Sequence, residues 1–208
     1  MVKLDHIVIG CNDLMNDQAA VATQLGLPPA ARGKHEFMGT HNALWNMGAY
    51  YIELVAINPE APNPGRPYWF GLGDEGMQAH LSNGPRLISW AVSVDDVAMM
   101  KAVAPIEMGE IESFARGELK WNTAVPTDGL PGMEGAYPLT INWTEGTHPA
   151  ERLPDMGFRC NRLTISHPDI DDAIEAIGAV DGPVDFVQGP ARLTCEIMRA
   201  DGSMVTFD

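Results

Sequence analysis

The sequence predicts an α+β fold assembled from repeated β-α-β-β-β units. The chain opens on a short β-branched strand, Leu4-Asp5-His6-Ile7-Val8-Ile9-Gly10, and a second apolar strand, Tyr50 to Ala56, closes the first unit. A strand-to-helix step with an acidic residue before an apolar one recurs three times, at Asp13-Leu14, Asp96-Val97 and Asp169-Ile170. Clusters of Pro, Gly and Asn separate the copies.

Taken in order, Asn12-Asp13 starts a helix whose apolar stripe runs through Ala19-Ala20, Val21 and Leu25 to Gly26, and Pro28-Pro29 closes it. Gly33 to Met47 alternates as a pair of strands, with Gly39 and Gly48 at bends. Residues 1–60 therefore form the first unit. Residues 61–85 read as a connecting loop rich in Pro, interrupted by the aromatic patch Tyr68-Trp69-Phe70, which is expected to pack over a pocket or across an interface. Residues 86–208 read as a second β-α-β-β-β region with insertions and a third strand-helix repeat. Its strands begin at Leu87–Ser93 and Arg162–Ser166. Thr127 to Gly135 is a turn-rich hairpin loop, and Glu145 to Met156 a long connection. The chain ends on a hairpin, Arg192–Met198 and Ser203–Phe207, turned at Asp201-Gly202. On this register Ser89 and Arg162 take the place of His6, and Thr140 and Thr206 that of Glu53.

Composition narrows the function. The 208 residues are 45% hydrophobic, enough for a sizeable core. A net charge of −15 argues against nucleic acid and anionic membrane partners, both of which need a basic surface. No signal-peptide pattern or membrane-length apolar run is present, and Cys11, Cys160 and Cys195 have no metal spacing, so a reduced, cytoplasmic setting is expected. Phosphate loops, nucleophile elbows and paired zinc motifs are absent.

The sharpest chemical signal is a pair. Alternation along a strand puts His6 on one face with Leu4 and Val8, and Glu53 on one face with Tyr51 and Val55. A histidine and a glutamate in apolar strand faces are costly to bury alone, and one cation or one proton would satisfy both. A lone strand histidine is nevertheless more often hydrogen-bonded than metal-bound. Asn42 must find partners for its amide if buried, whether a ligand or the neighbouring turn. Trp45, Trp90, Trp121 and Trp143 sit on strands, as core or as cavity lining. Arg162 is a fitting clamp for an anion if it faces inward, and an ordinary surface arginine otherwise. His148 and His167 each precede proline and receive no role.

Repeated β-α-β-β-β units, with Leu-Asp-His-Ile-Val-Ile at the start and Tyr-Ile-Glu-Leu closing the first unit, resemble the vicinal oxygen chelate superfamily. Residues 38–45 and 64–70 resemble its glyoxalase-like branch. The resemblance implies a curved mixed sheet from two units around a cavity, and one divalent metal (Zn, Ni, Mn or Fe) held by His and Glu. It carries over to His6 and Glu53 as catalytic and metal-binding residues; His41 supplies a third nitrogen for the metal only if its strand turns that face inward. From the residues themselves, Asn42, Trp45, Trp90 and Arg162 are the candidate substrate contacts. The second-unit ligand pair is missing, so a metal-free acid-base pair stands beside the metal reading. Two functions follow. One is an enzyme, a glyoxalase-like lyase or isomerase or a dioxygenase, acting on a small oxygenated metabolite, carboxylated if Arg162 faces inward. The other is a non-catalytic small-molecule binder of the bleomycin-resistance kind, with a homodimer as an expected assembly in either case.

Overall fold

The first strand, β1 (Val2–Gly10), runs through the middle of a nine-stranded sheet. The computed structural model describes all residues, Met1–Asp208. After β1, Asp13 caps α1 (Leu14–Leu25) by accepting from the Met15 and Asn16 N–H groups, and Gly26 ends it in the left-handed region at φ 87°. Strands β2 (Ala31–His35), β3 (Thr40–Asn46) and β4 (Tyr51–Ile57) complete the first unit. The segment expected as loop carries a short helix, α2 (Glu75–His80), capped by Asp74. The second unit repeats the pattern as β5 (Arg86–Ser93), α3 (Val97–Val103), β6 (Glu110–Arg116), β7 (Leu119–Val125) and β8 (Leu139–Glu145). A short α4 (Pro149–Arg152) sits in the following connection. The third region consists of β9 (Arg159–His167), α5 (Ile170–Ile177), β10 (Val180–Asp181), β11 (Val184–Gln188), β12 (Arg192–Met198) and β13 (Met204–Phe207).

Strand order in the large sheet is β2-β3-β4-β1-β5-β8-β7-β6, with β10 added beside the start of β1. In each of the first two units the opening strand lies parallel to the last, and the units join through antiparallel β1 and β5. The two units thus pair within one chain. The concave face carries Val8, Val55, Ala91, Phe114, Trp121 and Ile141, covered by Trp69 and Phe70. The opposite face packs Ile7, Ile9, Trp45 and Trp90 against the helices and the third region in a core of 33 buried residues.

The third region departs from the expected copy. Its sheet has the order β11-β9-β12-β13, so β13 does not touch β9 and Thr206 does not stand where Glu53 stands. Instead Leu163, Ile165, Cys195 and Ile197 seal the convex side of the large sheet. The register within the second unit also shifts. His6 pairs with Tyr51, placing Glu53 two residues further along. Two residues beyond Ser89 is Ala91, and it pairs with Leu139, so Leu139 and not Thr140 mirrors Glu53.

Candidate active site

The strand alternation inferred for β1 breaks at one residue. Leu4 pairs with Val92 and His6 with Ala91, leaving Asp5 as an unpaired bulge. The bulge sends Leu4 into the helix-side core, away from the face it was expected to share with His6. It also brings consecutive acidic and imidazole side chains together: His6 Nδ1 lies 2.7 Å from Asp5 Oδ1. Asp5 is almost wholly buried, and its other oxygen accepts from Trp143 Nε1 at 2.8 Å. His148 Nε2 stands 3.0 Å from that same oxygen while its Nδ1 accepts from the Ala150 N–H at 3.2 Å, so Nε2 is the donor. Burial alone would raise the Asp5 pKa, but these imidazole hydrogen bonds outweigh it and hold the carboxyl well below the usual range.

With Nδ1 bound to Asp5, His6 turns Nε2 toward the cavity, 3.5 Å from Glu53 Oε2. The two are charge-paired but not hydrogen-bonded, and Nε2 is a buried nitrogen with no hydrogen-bond partner. The imidazole stacks on Tyr51, ring centroids 4.4 Å apart. Desolvation opposes its protonation, yet the two flanking carboxylates prevail and raise its pKa to about 9. Glu53 is buried as well. Desolvation pushes its pKa up, while His6, His35 and the Asn42 amide pull it further down, so it stays ionised. Asn42 Nδ2 donates to Glu53 Oε1 at 2.6 Å and so fixes the carboxylate.

A second histidine closes the other side. His35, at the end of β2, has Nε2 3.8 Å from Glu53 Oε1. Arg116 Nη1 stands 3.2 Å from that nitrogen and donates to it, and Nδ1 lies 3.1 Å from Thr40 Oγ1, which accepts from Trp69 Nε1. Burial, reinforced by the charge of Arg116, lowers the His35 pKa to about 4, so the ring is neutral. The cavity measures about 30 Å³, with Trp121, Trp143, Leu139 and Ile141 completing its walls.

Several expected contacts lie elsewhere. His41, on β3, pairs with Lys34 of β2 and Ala56 of β4, one residue out of phase with Asn42, and points away from His6 and Glu53. Trp45 and Trp90 are core residues whose indole N–H groups donate to the Leu27 and Ala136 carbonyls. Arg162 is exposed on the small sheet, 3.4 Å from Asp185. The inward arginine is Arg116, and the cavity tryptophans are Trp69, Trp121 and Trp143. In the sequence His148 receives no role, and Asp5, His35, Tyr51 and Arg116 are not singled out. Only Asp5 and Tyr51, beside His6 and Glu53 on buried strands, left a signal that could have found them.

As a metal centre the donor set does not fit. His6 Nε2 and Glu53 Oε2 are two donors where a protein-held ion ordinarily takes three or more. The lone pair of His35 Nε2 is engaged by the Arg116 guanidinium, whose charge would repel a cation. The mirrored positions in the second unit offer only Ser89 and Leu139. No group of three His, Cys, Asp or Glu side chains is arranged to hold an ion.

Two paired β-α-β-β-β units curled over a His–Glu cavity define a vicinal oxygen chelate protein. The glyoxalase-like domain model matches residues 4–180, and the chain belongs to that family. In three dimensions it is similar to a hypothetical protein from Staphylococcus aureus, with a TM-score of 0.64 and 14% identity over 100% of this chain and 99% of the other. Methylmalonyl-CoA epimerase from Mycobacterium tuberculosis matches with a TM-score of 0.43 and 18% identity, over 72% of this chain and 91% of that one. A Streptomyces coelicolor methylmalonyl-CoA epimerase variant in complex with 2-nitronate-propionyl-CoA matches at 0.42 and 20%, over 70% and 98%. No curated protein matches the chain. No helix is long and apolar enough to cross a membrane.

Proposed function

We propose that the protein is an enzyme of the isomerase or lyase kind that moves a proton at a carbon beside a carbonyl in a small carboxylated metabolite. The observation that carries this reading is His6 Nε2: buried, without a hydrogen-bond partner, fixed from behind by Asp5 and facing the Glu53 carboxylate. In such a site the substrate carboxylate pairs with Arg116, whose orientation His35 maintains. Glu53, ionised and held by Asn42, takes the proton from carbon. The C–H electron pair moves toward the carbonyl oxygen, and the His6 Nε2–H stabilises the charge that develops there. Return of the proton from Glu53 or His6 completes an isomerisation. Each step uses a side chain of this chain. A resident metal is left out because the donors do not suit one.

A cavity of about 30 Å³ is smaller than a 2-oxo acid, so the Trp69-Phe70 cover has to move on binding. The acidic surface favours a small-molecule partner over nucleic acid. Proton exchange at carbon is the direct test. In D₂O, wild-type protein should wash deuterium into the carbon adjacent to the carbonyl of at least one member of a series of 2-oxo acids, followed by NMR. Glu53→Gln and His6→Gln should each slow exchange by about a hundredfold or more. Binding of the same compounds without exchange would favour the sequestering protein and remove the enzyme reading. Stoichiometric metal that is lost in Glu53→Gln would overturn the metal-free mechanism.

A further inference from the structure

Next to the catalytic cavity lies a second chamber of about 40 Å³, which shares Trp69, Phe70 and Leu139 with it as a common wall. We infer that this chamber is a subsite for a short, uncharged arm of the substrate bearing one hydrogen-bonding oxygen. The inference rests on His6 and Glu53 being the reactive pair.

Three observations support it. Two hydroxyls among its lining residues, Tyr137 Oη and Thr140 Oγ1, are buried and have no partner, and buried polar groups are seldom left so. No charged side chain lines the chamber. Ile106, Met108, Ala124 and Leu130 make it apolar, so an ionic arm would lose its hydration with nothing in return. Finally, the chain has three non-glycine residues at positive φ, Phe70 at 58°, Met133 at 49° and Glu134 at 53°. Phe70 is in the shared wall, and the other two directly follow Gly132, itself a lining residue. Such backbone is costly and persists where surrounding structure holds it. A bond from the Gly71 N–H to the Gly129 carbonyl, 2.7 Å long, ties the two segments together. The volume suits roughly three heavy atoms.

Ethanol, with three heavy atoms and one hydroxyl, is a suitable probe, followed by ¹³C-methyl NMR of Ile106 and Leu139 in the full chain. The expected result is saturable shifts at both methyls. Affinity should fall about fivefold in Thr140→Val and in Tyr137→Phe, as for loss of one hydrogen bond. It should vanish in Ala124→Leu, which fills the space, and persist in His6→Gln. Shifts that do not saturate, or that survive in folded Ala124→Leu, would overturn the subsite. So would unchanged affinity in the two hydroxyl variants, which are nearly isosteric and decide the matter if Ala124→Leu does not fold. A turnover comparison ties the chamber to substrate: in Ala124→Leu the kcat/KM ratio of 5-hydroxy-2-oxopentanoate over pyruvate should fall, and an unchanged ratio would sever the link. Ethanol binding with no proton exchange on any oxo acid would instead sink the reaction and leave the chamber standing.

Discussion

His6 acquires its chemistry from its neighbours. An isolated imidazole would sit near 6.5, but between Asp5 and Glu53 it remains protonated to about 9. Its stacking on Tyr51 and its bond to Asp5 fix the ring, so that Nε2 is the only edge offered to a ligand. In the proposed reaction Arg116 is the group that would select the ligand. Arg116→Leu should weaken binding of a 2-oxo acid carboxylate by about tenfold or more, the usual worth of a charge-assisted hydrogen bond. Arg162→Leu, on the far sheet, should leave it unchanged. Isothermal titration with the same oxo acid tests both, and an effect of Arg162→Leu equal to that of Arg116→Leu would return the anion site to the small sheet. His6 and Glu53 were legible because each interrupts an apolar strand. His35 and Arg116 were not, since β2 and β6 are edge strands with largely exposed patterns, in which polar residues are unremarkable.

At the scale of elements, two local distortions shape the site. The bulge at Asp5 converts a strand pattern into an Asp–His pair, and no alternation rule foresees it. The second distortion lies where β6 begins. Gly109 has φ 74°, and a Cβ there would come within 1.6 Å of the Val125 carbonyl oxygen. Gly109→Ala should therefore destabilise the protein by at least about 2 kcal/mol, since it combines left-handed backbone with a collision against a neighbouring strand. Urea denaturation followed by circular dichroism reads this, and a change within about 0.5 kcal/mol would show that the β6–β7 edge is free to relax. The connection from Glu145 to Met156 shows why loops resist reading. His148 precedes Pro149, as in many turns, and its contact with Asp5 spans 143 positions of sequence.

For the whole molecule, the buried charges make stability depend on pH in two directions. His6 has a folded pKa of about 9 against an ordinary 6.5, so its contribution is complete below 6.5 and is lost as pH rises toward 9. His35 is the reverse: at about 4 when folded, it disfavours the folded state as pH falls from 6.5, because the unfolded chain takes up that proton first. Asp5 and Glu53, both lowered, stabilise above their ordinary values of 3.8 and 4.5 and lose that contribution in stronger acid. The urea midpoint should peak near pH 6.5. His6→Gln should flatten the alkaline limb, and His35→Gln the limb between 6.5 and 4. An unaltered alkaline limb in His6→Gln would mean that His6 is neutral in the folded protein.

The repeated unit, the helix caps at Asp13 and Asp96, the terminal hairpin and the two polar residues of the pair follow from local rules of periodicity, capping and turn chemistry, which act within a few residues. They could be determined from the sequence alone. Tertiary structure decided the rest. It set which strand is neighbour to which, so that Leu139 faces the cavity where Thr140 was expected and the third copy became a separate sheet sealing the convex face. It turned Trp45 and Trp90 into the core and brought Trp69, Trp121 and Trp143 into the cavity. It also joined Asp5 to His148 and His35 to Arg116 across long stretches of chain. The physical reason is the same in each case. Alternation reveals that a strand has two faces, but which face is enclosed depends on what packs against it, and that is a property of the folded whole.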